Sequence, residues 1–516
     1  MRGGPARRVE QAPDWLRWRS GVSPDALALK VGGIEWSYSK LQLEVSALSA
    51  TLLSRGIGRG DRVALLMPPS ERYVALIHSV ARVGAVAVPL NHRQSTPELL
   101  SQLQDSDPSL VVHEGAPGAK AKERRRRWQL ASELMAEAAS ARAEPVLGDL
   151  LDLGSPHAII YTSGSSGTPK GVELTLSNLM WNAISVGLRT GASTDDRWLL
   201  CMPLFHVGGY SIIFRSVLHG SGVVLHPKFD PKLVSRSLDK DGITITSFVP
   251  TMLSEVLDAR GGKPLDPRVR IIFLGGGPPP FRLVSDVRKR RLPVLLTYGM
   301  TETCSQVAVS KAWASSKGPA YTSVFPSEVS VLRAGTKTSV LFAEPGEVGE
   351  VAVRGPTLFR GYWRKPALTS GRFKGEWFLT GDLGILQPGI EPSGRRENGI
   401  VILGRKDEMI VSGGEKVFPA EVETALREHP AVRDALVVGI DDAKWGQKVV
   451  AVVEAKAELR DGPPSALELS AFLREKVGSY KIPKEYRFWA SLPRTPTGKA
   501  RRAAVRLLVE RGAEPG

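Results

Sequence analysis

The sequence predicts an α/β protein: a large N-terminal region of layered α/β subdomains plus a β-rich subdomain, followed by a small α+β domain. Three observations lead there. The chain has 516 residues, more than one compact core usually holds, so two or more domains are expected. Short apolar runs alternate with segments of helical periodicity up to about residue 300, the pattern of a parallel sheet flanked by helices. Beyond Gly404 the texture changes, and Gly404–Arg–Lys–Asp407 marks the join between residues 1–404 and residues 405–516.

Each element follows from its residues. Asp61 to Met67 (DRVALLM) is a buried-strand run. Ser70 then offers an N-cap, and Tyr73, Val74, Ile77, Val80 and Ala81 recur at helical spacing. Gly84 ends that helix and Ala85 to Leu90 reads as the next strand. So short a connection through a helix implies parallel strands. A second alternation places strands near Trp198–Met202, Gly222–Leu225, Thr244–Phe248, Ile271–Leu274 and Val294–Thr297. From about 346 to 404 the runs are short and bounded by glycine, as in Glu350–Arg354 and Ile400–Leu403. The last segment reads as a helix near Pro419–Glu428, strands at Ala435–Ile440 and Lys448–Ala455, and a helix near Ala466–Val477.

Composition narrows the function classes. Hydrophobic residues make up 42% and charged residues 24%, which excludes a mostly disordered, collagen-like or coiled-coil chain. No uninterrupted apolar run approaches the roughly 18 residues of a membrane span. Met1 to Trp18 carries Arg2, Arg7, Arg8 and Arg17 with no apolar segment, so no secretory signal is expected. Two cysteines, Cys201 and Cys304, cannot build a disulfide framework or a Cys-rich metal site, and they fit a reducing cytoplasm. The net charge of +16 admits nucleic acid, an acidic membrane surface or small polyanions as partners. It is concentrated in Lys120–Arg127, in Arg288–Arg291, and in Arg501, Arg502 and Arg506. No RRM, KH or zinc-finger pattern accompanies these runs, so they read as solvated surface, with no nucleic acid as partner. The oligomeric state is left open.

The strongest local signal is Tyr161–Thr–Ser–Gly–Ser–Ser–Gly–Thr–Pro–Lys–Gly171, ahead of a helix capped at Ser177–Asn178. Glycines and small hydroxyl residues together expose backbone N–H groups and hydroxyls, which a polyphosphate requires. Lys170 adds a point charge. This is not the Walker sequence, because Lys170 follows Pro169 and no Ser or Thr follows it.

The ordered string resembles the phosphate-binding loop of the adenylate-forming superfamily: acyl-CoA synthetases, luciferases and peptide-synthetase adenylation domains. Four further strings match that family in its order: Tyr298–Gly–Met–Thr–Glu302, Thr380–Gly–Asp382, Gly404 to Gly414 (GRKDEMIVSGG) and Pro496–Thr–Gly–Lys499. The resemblance implies ATP, Mg²⁺ and coenzyme A as cofactor and co-substrates, and a carboxylic acid as the small-molecule substrate. Thr162, Ser163, Gly164, Ser165, Ser166, Gly167, Thr168 and Lys170 would wrap the phosphates. Tyr298 with Gly299 would stack on adenine, and Gly275, Gly276 and Gly277 would lie along its edge. Thr301 would bond the α-phosphate, and Glu302 would hold Mg²⁺, a hard cation that takes oxygen ligands. Asp382 would accept the ribose hydroxyls, with Arg405 beside the nucleotide. Lys499 would be the catalytic lysine, bridging the attacking carboxylate and the phosphoryl centre. The family implies a mobile small domain: Asp407 aligns with its hinge, and Gly413 and Gly414 with the loop facing the pantetheine tunnel. One departure is Gln387 to Asn398 (QPGIEPSGRREN), which reads as an inserted surface hairpin extension.

The implied reaction is carboxylate adenylation with release of pyrophosphate, then thioester formation with CoA and release of AMP. His206, in Cys201 to Gly209 (CMPLFHVGG), and Ser305 and Gln306 are candidates for the acyl pocket. Four segments resemble the o-succinylbenzoate–CoA ligase branch of menaquinone synthesis: Asp196–Leu199, Pro203–His206, Leu274–Pro278 and Met300–Gln306, the last with Cys304 in place of the usual alanine. A dicarboxylate needs a donor-rich pocket. The alternatives are a fatty-acyl or aryl-CoA synthetase with another acid, a peptide-synthetase adenylation domain, and a basic nucleic-acid-binding protein.

Overall fold

Two large sheets, a small one and a two-stranded ribbon carry the computed structural model, which describes residues 10–115, 127–140, 149–162, 169–310, 319–333, 340–390, 396–456, 462–494 and 500–515. The first sheet has seven strands. Val86–Pro89, Arg62–Leu66, Leu110–His113 and Arg127–Leu130 run parallel. Val63, Ala64, Leu65, Ala87 and Val88 are inaccessible, as expected for strands covered on both faces. The helix between the first two strands is Glu71–Arg82, and Ser70 caps it by accepting the Tyr73 N–H. Beside Val86–Pro89 lies Pro156–Thr162, which turns back antiparallel into Lys170–Thr175, with Gly361–Tyr362 at the edge.

The second sheet has fourteen strands. Its parallel half includes Gly222–Leu225, Arg197–Leu200, Ile245–Phe248, Ile271–Leu274 and Val294–Met300, close to the expected positions. Val294–Met300 outruns its apolar stretch because Tyr298, Gly299 and Met300 pair antiparallel with Ser305–Ser310. The glycine-bounded runs continue this sheet rather than forming another, since Ala320–Ser323 pairs with Arg396–Arg405. Of the segment Gln387 to Asn398, expected as a hairpin extension, 391–395 lie outside the described residues; the flanking strands Trp377–Ile390 and Arg396–Arg405 stay paired down to Ile390 and Arg396.

Two expectations need correction. The helix after the phosphate-loop hairpin is Leu176–Thr190 and its N-cap is Thr175, not Ser177. The Thr175 hydroxyl accepts the Asn178 N–H (3.2 Å) and the Asn178 side chain accepts the Thr175 N–H (2.9 Å), a reciprocal pair that satisfies both donors. Arg502 is not a solvated charge either. It lies between Glu423 and Glu408, on the helix Arg502–Glu510. Of the basic run at 120–127, only Arg127 falls within the described residues, where it opens an edge strand.

The small sheet has five strands: Glu415–Val417, Ile410–Ser412, Gly446–Ala455, Val432–Asp442 and Glu485–Phe488. Its side chains alternate between two cores. Val437, Ala451 and Val453 pack with Leu426 and Leu473 on one face. Val438, Val450 and Val452 pack with Trp489 and Val505 on the other. Among the described residues no helix is long and apolar enough to cross a membrane.

Candidate active site

The edge where Val294–Met300 stops being apolar carries the first group of site residues. Gly299 lets the antiparallel partner come close, because a Cβ there would sit 2.0 Å from the Ser305 carbonyl oxygen. The Tyr298 phenol packs beside Tyr321, and its hydroxyl donates to Asp382 Oδ2 at 2.6 Å. Burial first, and the Asp382 carboxylate second, push that phenol well above its ordinary range. Asp382 is buried. Its N–H donates to the Thr380 hydroxyl (3.1 Å), which in turn donates to the Val351 carbonyl (2.8 Å). Between them Gly381 has φ +79°, and a Cβ would stand 3.1 Å from the guanidinium nitrogens of Arg372 and Arg405, so this turn favours glycine.

Strand register brings Arg405 opposite Asp382. The guanidinium donates to Asp382 Oδ1 (3.2 Å), to the Thr380 carbonyl (3.1 Å) and to Asp407 Oδ1 (3.4 Å). Burial opposes its charge, but the two aspartates outweigh that and hold its pKa above the usual value. Beside this cluster is a cleft of about 500 Å³ lined by Glu350, Arg372, Gly381, Arg405, Lys406 and Asp407. Asp407 lies in the single turn Lys406–Glu408.

The second group is the phosphate end. Thr301 to Thr303 form one 3₁₀ turn, tied by the Met300 N–H donating to the Thr303 hydroxyl (2.9 Å). The Glu302 carbonyl accepts the Phe359 N–H (2.8 Å), and its Oε1 accepts the Tyr362 hydroxyl (2.9 Å). The ammonium of Lys170 stands over the Tyr362 ring, 5.8 Å from its centre. Lys170 pairs with Thr162 at the base of the hairpin. Ser163, Gly164, Ser165, Ser166, Gly167 and Thr168 lie outside the described residues, as does Lys499. Arg494 and Ala500, on either side of 495–499, form an antiparallel bridge. Arg501 exerts a coulombic pull on the Glu98 carboxyl, whose pKa is lowered mainly by Ser95.

The third group surrounds the candidate acyl pocket. His206 begins the helix Val207–His219 without making a side-chain cap bond. Its ring tilts against Phe205 (4.7 Å), and burial, with Arg93 adding to it, pushes its pKa down to about 4. Two turns along the same helix is Arg215, 1% exposed. It donates to Asn182 Oδ1 (2.8 Å) and Gln306 Oε1 (3.1 Å), and it stands over the Trp198 ring at 5.7 Å. Ser305 also donates to Gln306 Oε1, at 2.8 Å. Among the described residues no carboxylate pairs with Arg215, and burial pushes its pKa down to about 10. Cys304 (φ +51°) and Ser305 (φ +91°) adopt backbone rare for side-chain-bearing residues, at the bend that leads into Gln306.

The structure thus joins Tyr298, Asp382 and Arg405 in one cluster, Glu302 and Lys170 in a second, and Ser305 and Gln306 in a third. Gly275 to Gly277 follow the strand Ile271–Leu274 directly. Gly413 and Gly414 form an exposed turn, with Gly413 packed against the Trp445 ring. Sequence reasoning missed Tyr362, Asn182 and Arg215. Arg215 had a signal: a lone arginine in an apolar helix, VGGYSIIFRSVLH.

The AMP-binding enzyme family matches residues 16–363, and the AMP-binding enzyme C-terminal domain matches residues 421–499. The chain is 36% identical over 504 residues to the 2-succinylbenzoate–CoA ligase of Bacillus licheniformis, covering 95% of this chain and 98% of that one. The o-succinylbenzoate CoA synthetase (MenE) of Bacillus subtilis, in complex with the acyl-adenylate intermediate OSB-AMP, superposes with a TM-score of 0.85 at 32% identity over 96% of this chain and 99% of that one. A double mutant of the same synthetase, bound to the product analogue OSB-NCoA, covers 96% and 98% at the same identity but reaches a TM-score of 0.70. A family pattern across most of the chain and near-full-length relatives agree: the chain belongs to the AMP-binding enzyme family.

Proposed function

We propose that the chain is a 2-succinylbenzoate–CoA ligase, an AMP-forming acid–thiol ligase that works in two steps at one cleft. A free carboxylate is a poor acyl donor because oxide is a poor leaving group. Attack of the acid's oxygen on the α-phosphorus of ATP releases pyrophosphate and leaves an acyl-adenylate. The CoA thiol then attacks the acyl carbon, and AMP departs with the bonding pair. Asp382 accepts the ribose hydroxyls beside Arg405, and Tyr298, anchored to Asp382 through its hydroxyl, offers its ring to adenine. Thr301 bonds the α-phosphate. Gly275 to Gly277 run along the adenine edge, while Lys170 and the Thr162–Thr168 loop hold the β- and γ-phosphates. Lys499 neutralises charge at the attacking carboxylate and the phosphoryl oxygens.

The donor set fits magnesium. Glu302 offers one hard carboxylate oxygen beyond the one bonded to Tyr362. Among the described residues no group of three or more metal-binding side chains gathers, as suits an ion whose other ligands are phosphates and water. Bound there, it would screen the phosphate charge against the incoming carboxylate.

The observation that carries the choice of acid is Arg215. A buried guanidinium held only by amide oxygens is under-compensated, and a planar fork suits a carboxylate. It lies beyond Ser305 and Gln306, where the second carboxylate of 2-succinylbenzoate would sit when the first is at the nucleotide. His206 lines the same pocket. In this reading residues 1–404 form the large domain and 405–516 the small one, with Asp407 as the hinge. Gly413 and Gly414 then approach the pantetheine arm in the second step. The reading is supported by the higher TM-score with the acyl-adenylate complex than with the product-analogue complex. Supply of ATP and CoA places the reaction in the cytoplasm.

The test offers purified protein a mixture of 2-succinylbenzoate, benzoates and fatty acids with ATP, Mg²⁺ and CoA, and identifies the thioester by mass spectrometry. Succinylbenzoyl-CoA is the expected product. A thioester of another acid alone, or none, overturns the assignment.

A further inference from the structure

Between the phosphate-loop lysine and the metal-binding carboxylate stands a residue to which the reaction described above gives no part. Tyr362 is 6% exposed. It belongs to the two-residue strand Gly361–Tyr362, registered on Lys170–Thr175 through Val172. The Trp363 N–H donates to the Gly171 carbonyl (2.8 Å) and the Arg360 N–H to the Glu173 carbonyl (2.9 Å), so the strand is pinned at both ends. The Tyr362 N–H donates to the Thr369 hydroxyl (2.9 Å), and the Phe359 ring packs edge-on against its ring (4.9 Å). Phe359 also donates its N–H to the Glu302 carbonyl. One short segment therefore fixes both the backbone and the carboxylate of Glu302.

We propose that Tyr362 is a positioning residue that presents the free oxygen of Glu302 to the metal of the bound nucleotide and keeps that carboxylate apart from Lys170. The proposal rests on the reading of Glu302 as the metal ligand. A glutamate has three rotatable bonds, and an unheld carboxylate loses conformational freedom when a cation captures it. The phenol bond occupies Oε1 and leaves Oε2 for the cation. The face of the same ring carries the Lys170 ammonium at 5.8 Å. No ion pair joins Lys170 to Glu302 among the described residues. Direct pairing would occupy both the anion-binding charge and the metal-binding charge before ATP arrived. With the ammonium over the ring face and the carboxylate on the hydroxyl, each stays available.

The test compares wild type, Tyr362→Phe, Glu302→Gln and the double variant. Mn²⁺ binding to the enzyme–ATP complex is read by electron paramagnetic resonance, together with KM for ATP and for the acid and thermal midpoints. Tyr362→Phe keeps the ring and removes the bond. It is expected to raise the Mn²⁺ half-saturation about tenfold, the low end for a hydrogen bond to a charged group, with KM for the acid unchanged. The double variant is expected to be no worse than Glu302→Gln alone. Wild-type Mn²⁺ binding by Tyr362→Phe, or effects that multiply in the double variant, overturns the inference. The cycle is a ratio, so it decides even if Tyr362→Phe lowers the thermal midpoint. If Glu302→Gln leaves metal binding untouched, the metal reading of Glu302 fails and this inference with it. If only Tyr362→Phe is silent, the inference fails alone.

Discussion

Arg215 concentrates the residue-scale chemistry. A guanidinium that is 1% exposed, bonded to two amide oxygens and set over an indole ring, with no carboxylate paired to it among the described residues, has an unmet demand for negative charge. In the proposed reading the second carboxylate of the acid supplies it. Arg215→Lys keeps a charge but not the planar fork. It is expected to raise KM for 2-succinylbenzoate at least about tenfold, as for a lost charge-assisted bond, with KM for ATP unchanged. Steady-state kinetics with each substrate varied in turn checks this, and equal losses for both substrates would argue against it. Lys499 belongs to the same scale. Lys499→Ala is expected to lower acid-dependent pyrophosphate exchange about 10²–10³-fold, while supplied acyl-adenylate still reacts with CoA. Equal loss of both half-reactions would remove its assigned role.

Elements decide where these residues meet. The hairpin of Pro156–Thr162 and Lys170–Thr175 sets the base of the phosphate loop, and the edge strand Gly361–Tyr362 adds the wall beside it. The motifs Tyr298 to Glu302 and Thr380 to Asp382 were legible in the sequence because each is a compact string with its own backbone demand. The Tyr362 contact with Glu302 was not, since it depends on pairing between residues 60 positions apart. The same holds for Arg215 and Gln306, 91 positions apart. In the proposed reading the turn Lys406–Glu408 is the element that swings. Asp407→Pro fixes one φ and removes an N–H there. The expected result is retained pyrophosphate exchange with lost thioester formation, measured as separate half-reactions. Full turnover in the variant would rule out the hinge.

At the scale of the molecule, burial leaves a mark on pH dependence. His157 and His78 sit against Phe214 beneath the helix that carries Arg215. Burial pushes His157 down to about 3 and His78 to about 4. Both are neutral when folded, whereas unfolded histidine protonates near its usual 6.5. Stability from this source is intact above about pH 6.5 and falls as pH drops toward the folded values, by about 1.4 kcal/mol per unit for each histidine. Denaturant unfolding at pH 7 and pH 5 tests this. His157→Gln is expected to show a shallower loss than wild type, and an unchanged slope would contradict it.

The sequence alone determined which strings are assigned to the nucleotide, because phosphate, ribose and adenine each require particular residues at fixed local spacing, and it placed eleven strands by apolar runs flanked with turn residues. It also determined the class of the chain, since five strings in order leave little freedom. Only the tertiary structure decided which side chains face one another across separate strands and helices: Tyr362 under Lys170, Arg215 behind Gln306, and the short β runs joined to the second sheet. Local spacing fixes backbone conformation and short-range charge, whereas those meetings depend on sheet register and helix packing set by the whole folded chain.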